Sequence, residues 1–153
     1  MVSLLLSTSL LVSAGPKQKK VDNWIDASVK QKSELRASLV KANMPIMSAW
    51  IKAKQKAVPM SADLTGQDQL VLVTAAGPDG TDWDWGTWAN ARLIKADGSS
   101  VWLDELDPDY WVSGSNSIRK NTDLYGNPLL IGGKKYDHSV LCHANGVMVY
   151  NIN

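Results

Sequence analysis

The sequence predicts a mainly β protein, an antiparallel sandwich or barrel, behind a basic helical segment. Three observations carry this. After Pro59 the apolar residues fall into short runs separated by turn residues, as in Gln69–Thr74 (QLVLVT). Ala89–Lys95 (ANARLIK) alternates apolar and polar side chains, the pattern of a half-buried strand. Asp97-Gly98 then sits between that run and Ser100–Leu103 (SVWL), the dipeptide most typical of a two-strand hairpin.

The chain has 153 residues, enough for one domain or one and a half. Its net charge of +1 gives no general reason to expect nucleic acid, but the charge is unevenly placed. Residues 17–56 hold ten Lys/Arg against three Asp/Glu, and residues 57–153 hold six against twelve, so a basic arm precedes an acidic body. Cys142 is the single cysteine, which excludes an internal disulfide and a two-cysteine zinc site.

Taken in order, residues 1–14 (MVSLLLSTSLLVSA) read as a secretory signal. Leu4–Val12 is a short apolar core, and Val12-Ser13-Ala14 precedes a cut ahead of Gly15. The run is too short to span a bilayer, so no membrane span is expected after cleavage, and the location implied is secreted or periplasmic. No Lys or Arg precedes the apolar core, which is atypical of a leader and leaves open a true start upstream. A buried strand is the competing reading. Residues 15–20 (GPKQKK) form a basic linker.

Residues 21–58 read as two helices. Asp22 can cap the first, and Pro45 suits the first turn of the second. Ile46, Met47, Trp50 and Ile51 form a compact stripe with Lys52, Lys54 and Lys56 beside it. A solvated face docked through that stripe is expected, with a membrane-surface or nucleic-acid face as the alternative.

Residues 59–153 make the β region. Beyond the runs already named, Tyr110–Ser113, Leu129–Ile131, Lys134–Tyr136 and Val147–Ile152 are expected strands, and Ser113–Asn127 an expected loop. The chemistry concentrates in Gly77–Ala91 (GPDGTDWDWGTWANA). It gathers Asp79, Asp82 and Asp84 with Trp83, Trp85 and Trp88, in a chain with seven Trp and no Phe. Carboxylates accept hydrogen bonds from hydroxyls and indole faces stack on apolar ring faces, a combination suited to a sugar. Core tryptophans beside solvated aspartates are the plainer reading, and Trp88, opening an alternating strand, fits the core.

No nucleophile elbow, P-loop or dinucleotide fingerprint is present, and no catalytic set is recognised. His138 and His143, with Asp137, lack a zinc-protease spacing, and structural or ligand-contacting histidines are expected instead. No cofactor is expected. Calcium on Asp79, Asp82 and Asp84 is an open alternative, although the loop lacks the full EF-hand ligand pattern.

Lys134–Asn151 (KKYDHSVLCHANGVMVYN) resembles the signature of the NPCBM family of carbohydrate-binding modules, through Tyr136, His143, Ala144, Val147, Val149 and Tyr150. Val101–Leu106, Trp111–Ser115 and Asn127–Gly133 are similar to the segments before that signature. Residues 69–95 resemble the segment that ends such a module, closing on Trp88-Ala89-Asn90-Ala91-Arg92-Leu93, whereas residues 100–153 resemble its start. The chain thus holds either parts of two modules or one module with its ending strands placed first. Because the family pattern continues past the equivalent of Asn153, the resemblance also implies a fragment and an incomplete sandwich.

The resemblance implies a jelly-roll-like β-sandwich of the galactose-binding type that binds sugars without catalysis, appended to exported glycoside hydrolases of the α-galactosidase-like kind. Trp83 or Trp85 would stack on the sugar, with polar contacts from Asp82, Asp84, His143 and Asn145. Ser139-Val140-Leu141-Cys142 and Asp84-Trp85 depart from the family pattern and leave the ligand open, a galactose-containing glycan being one candidate. Two rivals are the leading part of a glycoside hydrolase and an interaction domain whose basic segment docks on an acidic partner.

Overall fold

The computed structural model describes residues 2–6, 10–14, 46–77 and 79–152. The described chain is almost entirely β. Its strands are β1 (Val2–Leu6), β2 (Leu10–Ala14), β3 (Ile46–Met47), β4 (Val58–Ala62), β5 (Gln69–Thr74), β6 (Trp85–Ile94), β7 (Ser100–Trp102), β8 (Tyr110–Val112), β9 (Ile118–Lys120), β10 (Leu129–Ile131), β11 (Lys134–Tyr136), β12 (Ser139–His143) and β13 (Gly146–Asn151). A single 3₁₀ turn covers Leu103–Glu105.

The strands form two antiparallel sheets, which gives the β-sandwich expected. One sheet runs β4-β1-β6-β12-β9, with β7 also paired to β6, and the other runs β3-β2-β5-β13-β8. Strands β10 and β11 make a separate hairpin.

The core lies between the sheets because alternate residues of each strand point to the same face. Met60 and Ala62 of β4, Trp88 of β6, and Val140 and Cys142 of β12 meet Leu70 and Leu72 of β5 and Met148 and Tyr150 of β13. Burying each of the larger apolar side chains stabilises the fold by about 1.5–3 kcal/mol. Trp88 is fully buried, as its place at the head of an alternating run predicts. Val71, Val73, Val147 and Val149, on the opposite face, are buried as well, which explains why Gln69–Thr74 reads as a continuous apolar run. Tight turning at Asp97-Gly98 joins β6 to β7, with Gly98 at φ +85° and the Asp97 carboxylate accepting from the Ser99 amide.

Three sequence expectations meet a different arrangement. The second helix, expected after Pro45, is absent among the described residues: Ile46–Met47 pairs with β2, a turn follows at Ala53–Lys54, and β4 begins at Val58. The spacing of Ile46, Met47, Trp50 and Ile51 mimics a helical stripe, but strand pairing with β2 satisfies this backbone instead. The first expected helix lies outside the described residues. Within the expected loop at 113–127, Ile118–Lys120 is a strand hydrogen-bonded to β12. It carries one apolar residue, Ile118, packed against the core, so its pattern is too short to read.

The third difference concerns the apolar run at the start. Val2–Leu6 pairs with β4 on one side and β6 on the other, and Leu10–Ala14 lies between β3 and β5. The residues that read as a leader therefore supply an interior strand to each sheet.

Candidate functional site

The loop entering β6 is built from its own backbone. The Gly77 amide donates to Asp84 Oδ2 at 3.0 Å, the Asp84 amide donates to the Thr81 carbonyl at 3.2 Å, and the Trp85 amide donates to that of Trp83 at 3.0 Å. Gly80 sits at φ +127°, which glycine adopts without cost. Trp83, at φ +65°, occupies the left-handed region that bulky residues avoid. That turn leaves its indole 78 % exposed.

The second half of the site comes from the connection between β12 and β13. Trp85 and His143 are a register pair of β6 and β12, and their rings meet edge-to-face with centroids 4.9 Å apart. The Ala144 amide donates to the Asp84 carbonyl at 2.8 Å, and Asn145 Oδ1 accepts from the Ala76 amide at 3.0 Å. His143 Nδ1 lies 2.6 Å from the Ala144 carbonyl, so Nδ1 carries the hydrogen and donates. Gly114 closes the same corner: a Cβ there would meet the Ala144 carbonyl oxygen and His143 Nδ1.

Of the six residues that the sequence nominates, four share a cleft and two do not line it. Asp82, Trp83, Asp84 and Trp85 line a cleft, Asp82 and Trp83 being exposed and Asp84 and Trp85 half-buried. His143 and Asn145 brace the loop that carries them.

The cleft, about 1100 Å³ in volume, has two further walls. One is the β10–β11 hairpin, whose Leu129, Ile131 and Tyr136 pack with Ala89 on β6 and with Ala57. The other is the segment from Trp50 to Gln55. Gly132 lets these two walls close on each other, since a Cβ there would stand 3.0 Å from Lys56 Cα. Trp50 is 43 % exposed on the cleft and Leu130 is 65 % exposed. Lys52 and Lys54 line the cleft with them. Trp50 is the functional candidate that sequence reasoning misses, because a helical stripe would dock it on the protein. The available signal was its place among seven tryptophans in a chain without phenylalanine.

His138 belongs elsewhere. It stacks on Trp102 at 4.3 Å between centroids and 9° between planes, and it pairs with Asp104 at 3.0 Å. The two histidines thus share no site. Asp84 already accepts from Gly77, and among the described residues no group of three or more His, Cys, Asp or Glu is gathered that could hold a metal ion.

The chain is a β-sandwich that presents an outward tryptophan and carboxylates around an open cleft. The chain belongs to the NPCBM/NEW2 domain family, whose model matches residues 11–94 and 99–153. This is a family of carbohydrate-binding modules. Searches of the curated proteins and of the solved structures found no match. The two matched segments share both sheets, since β6 pairs with β12 and β5 with β13.

Proposed function

We propose that this protein binds carbohydrate without catalysis in the cleft lined by Asp82, Trp83, Asp84 and Trp85. One observation carries the reading: Trp83 presents an indole that is 78 % exposed, with Asp79 and Asp82 on the same cleft. An indole held in solvent by its own backbone conformation loses apolar hydration when a sugar ring stacks on it, and the carboxylates accept from the ring hydroxyls. With stacking and a few hydrogen bonds of ~1 kcal/mol net each, a single site binds weakly, on the order of Kd near a millimolar. Galactose-, fucose- and glucosamine-containing glycans are the ligands to try. Calorimetric titration tests the reading, and failure of every such glycan to bind sinks it.

Export and association with a glycoside hydrolase are part of the same proposal, supported by the family resemblance. A cut ahead of Gly15 would remove β1 and β2 from the interiors of both sheets, so an exported form that keeps residues 1–14 is the one expected to stay folded. Amino-terminal sequencing of protein recovered from the medium tests this. A secreted form that starts at Gly15 and stays folded would contradict the need for residues 1–14, and protein confined to the cell would contradict export.

A further inference from the structure

We infer that the cleft takes an oligosaccharide of at least two rings rather than a single terminal sugar, with Trp50 as a second stacking platform. The inference rests on the sugar-binding reading and deepens it. Two exposed indoles from unrelated parts of the chain line one cleft: Trp83 from the loop before β6 and Trp50 from the segment between β3 and β4. At about 1100 Å³ the cleft matches or exceeds the space that encloses a drug-sized ligand, well beyond one hexose.

The polar groups fit a neutral chain. Asp79 and Asp82 supply acceptors on one wall, and the exposed Lys52 and Lys54 supply donors on another. Sugar hydroxyls both donate and accept, so a hydroxyl-rich ligand that bridges the two walls satisfies both sets. Carboxylates facing ammonium groups favour neither a strongly anionic nor a strongly cationic polymer. Gly132 helps hold this second subsite in place: its φ of +57° suits glycine, and a Cβ there would crowd Lys56 Cα at 3.0 Å.

The test is calorimetry on the full chain with free galactose, free N-acetylglucosamine, the disaccharide joining them and its tandem tetrasaccharide. Affinity should rise about tenfold from single sugar to tetrasaccharide, the gain of one further stacking contact near 1.4 kcal/mol. Trp50→Ala should abolish that gain, and Trp83→Ala should weaken every ligand. Tyr125→Ala, exposed and away from the cleft, should change nothing, and thermal melts of all three variants show whether the fold is kept. Equal affinity for single sugar and tetrasaccharide, or a length dependence that survives in folded Trp50→Ala, overturns the second platform alone. Absence of binding by all four sugars and by fucose-containing glycans overturns the carbohydrate reading beneath it.

Discussion

Trp85 and His143 stand opposite each other in β6 and β12, and the two rings meet at 86° with centroids 4.9 Å apart. This pair ties the tryptophan- and aspartate-rich loop to the β12–β13 connection. Edge-to-face aromatic pairs are worth ~0.5–1.5 kcal/mol beyond their buried area. A double-mutant cycle with Trp85→Leu and His143→Leu should return a coupling energy in that range from denaturant midpoints. Strict additivity would show that the contact contributes nothing beyond area.

The neighbouring aspartates divide between structure and ligand. Asp84 accepts from the Gly77 amide, whereas Asp82 is exposed on the cleft. Asp84→Ala should lower stability by ~1–2 kcal/mol, the cost of leaving that part-buried amide without its charged acceptor. Asp82→Ala should leave the melting temperature within error and weaken glycan binding. Reversal of the two results would exchange their roles.

How far this arrangement can be seen in the sequence depends on whether its signals are local. Asp97-Gly98, the alternation of Ala89–Lys95 and the Val/Leu run of β5 each declare a strand or turn within a few residues, and the structure has them. The apolar run at residues 2–14 is open to two readings by the same reasoning, since a short apolar stretch has no period that separates a leader from an interior strand. Ile46–Ile51 fails differently: four apolar residues at helical spacing are outweighed by pairing with β2. Of the site, Gly77–Ala91 is legible because its chemistry is contiguous. Trp50 is not, for it reaches the cleft through the packing of Gln55–Lys56 against Gly132 from a distant part of the chain.

Cys142 gives an alkaline signature. Burial pushes its thiol up from 9.0 to about 11, partly offset by the hydrogen-bonding contact with Thr74 Oγ1 at 3.2 Å. With a folded value above the unfolded one, stability is fully present below pH 9. Between pH 9 and 11 the unfolded chain releases the proton while the folded chain keeps it, so stability falls. A two-unit difference corresponds to about 3 kcal/mol. Burial also pushes the Tyr150 hydroxyl up, with the neighbouring Cys142, Asp107 and Asp104 charges adding to it, which steepens the loss above pH 10. Cys142→Ala should flatten the pH 9–11 part of the urea-midpoint profile. In the native protein at pH 8 only ~0.1 % of the thiol is ionised, so alkylation should require prior unfolding.

The strand pairing keeps the two segments matched by the family model from folding apart. Residues 1–98 contribute β1 to β6 and residues 99–153 contribute β7 to β13. Six register pairs join β5 to β13 and five join β6 to β12, so every interior neighbour of those strands on one side belongs to the other segment. The core is divided in the same way: Leu70, Leu72 and Trp88 lie on one side, and Val140, Met148 and Tyr150 on the other. Each piece alone would expose half of that core and an open edge on both sheets, conditions that favour aggregation over folding. Cleavage between Gly98 and Ser99, at the exposed hairpin turn, should therefore leave two pieces that stay together and melt as one. Prepared separately, neither should show a cooperative thermal transition, and equimolar mixing should restore one. A cooperative transition from residues 99–153 alone would mean that the matched segments are separable modules, and the cleft, drawing walls from both, would then lose its basis.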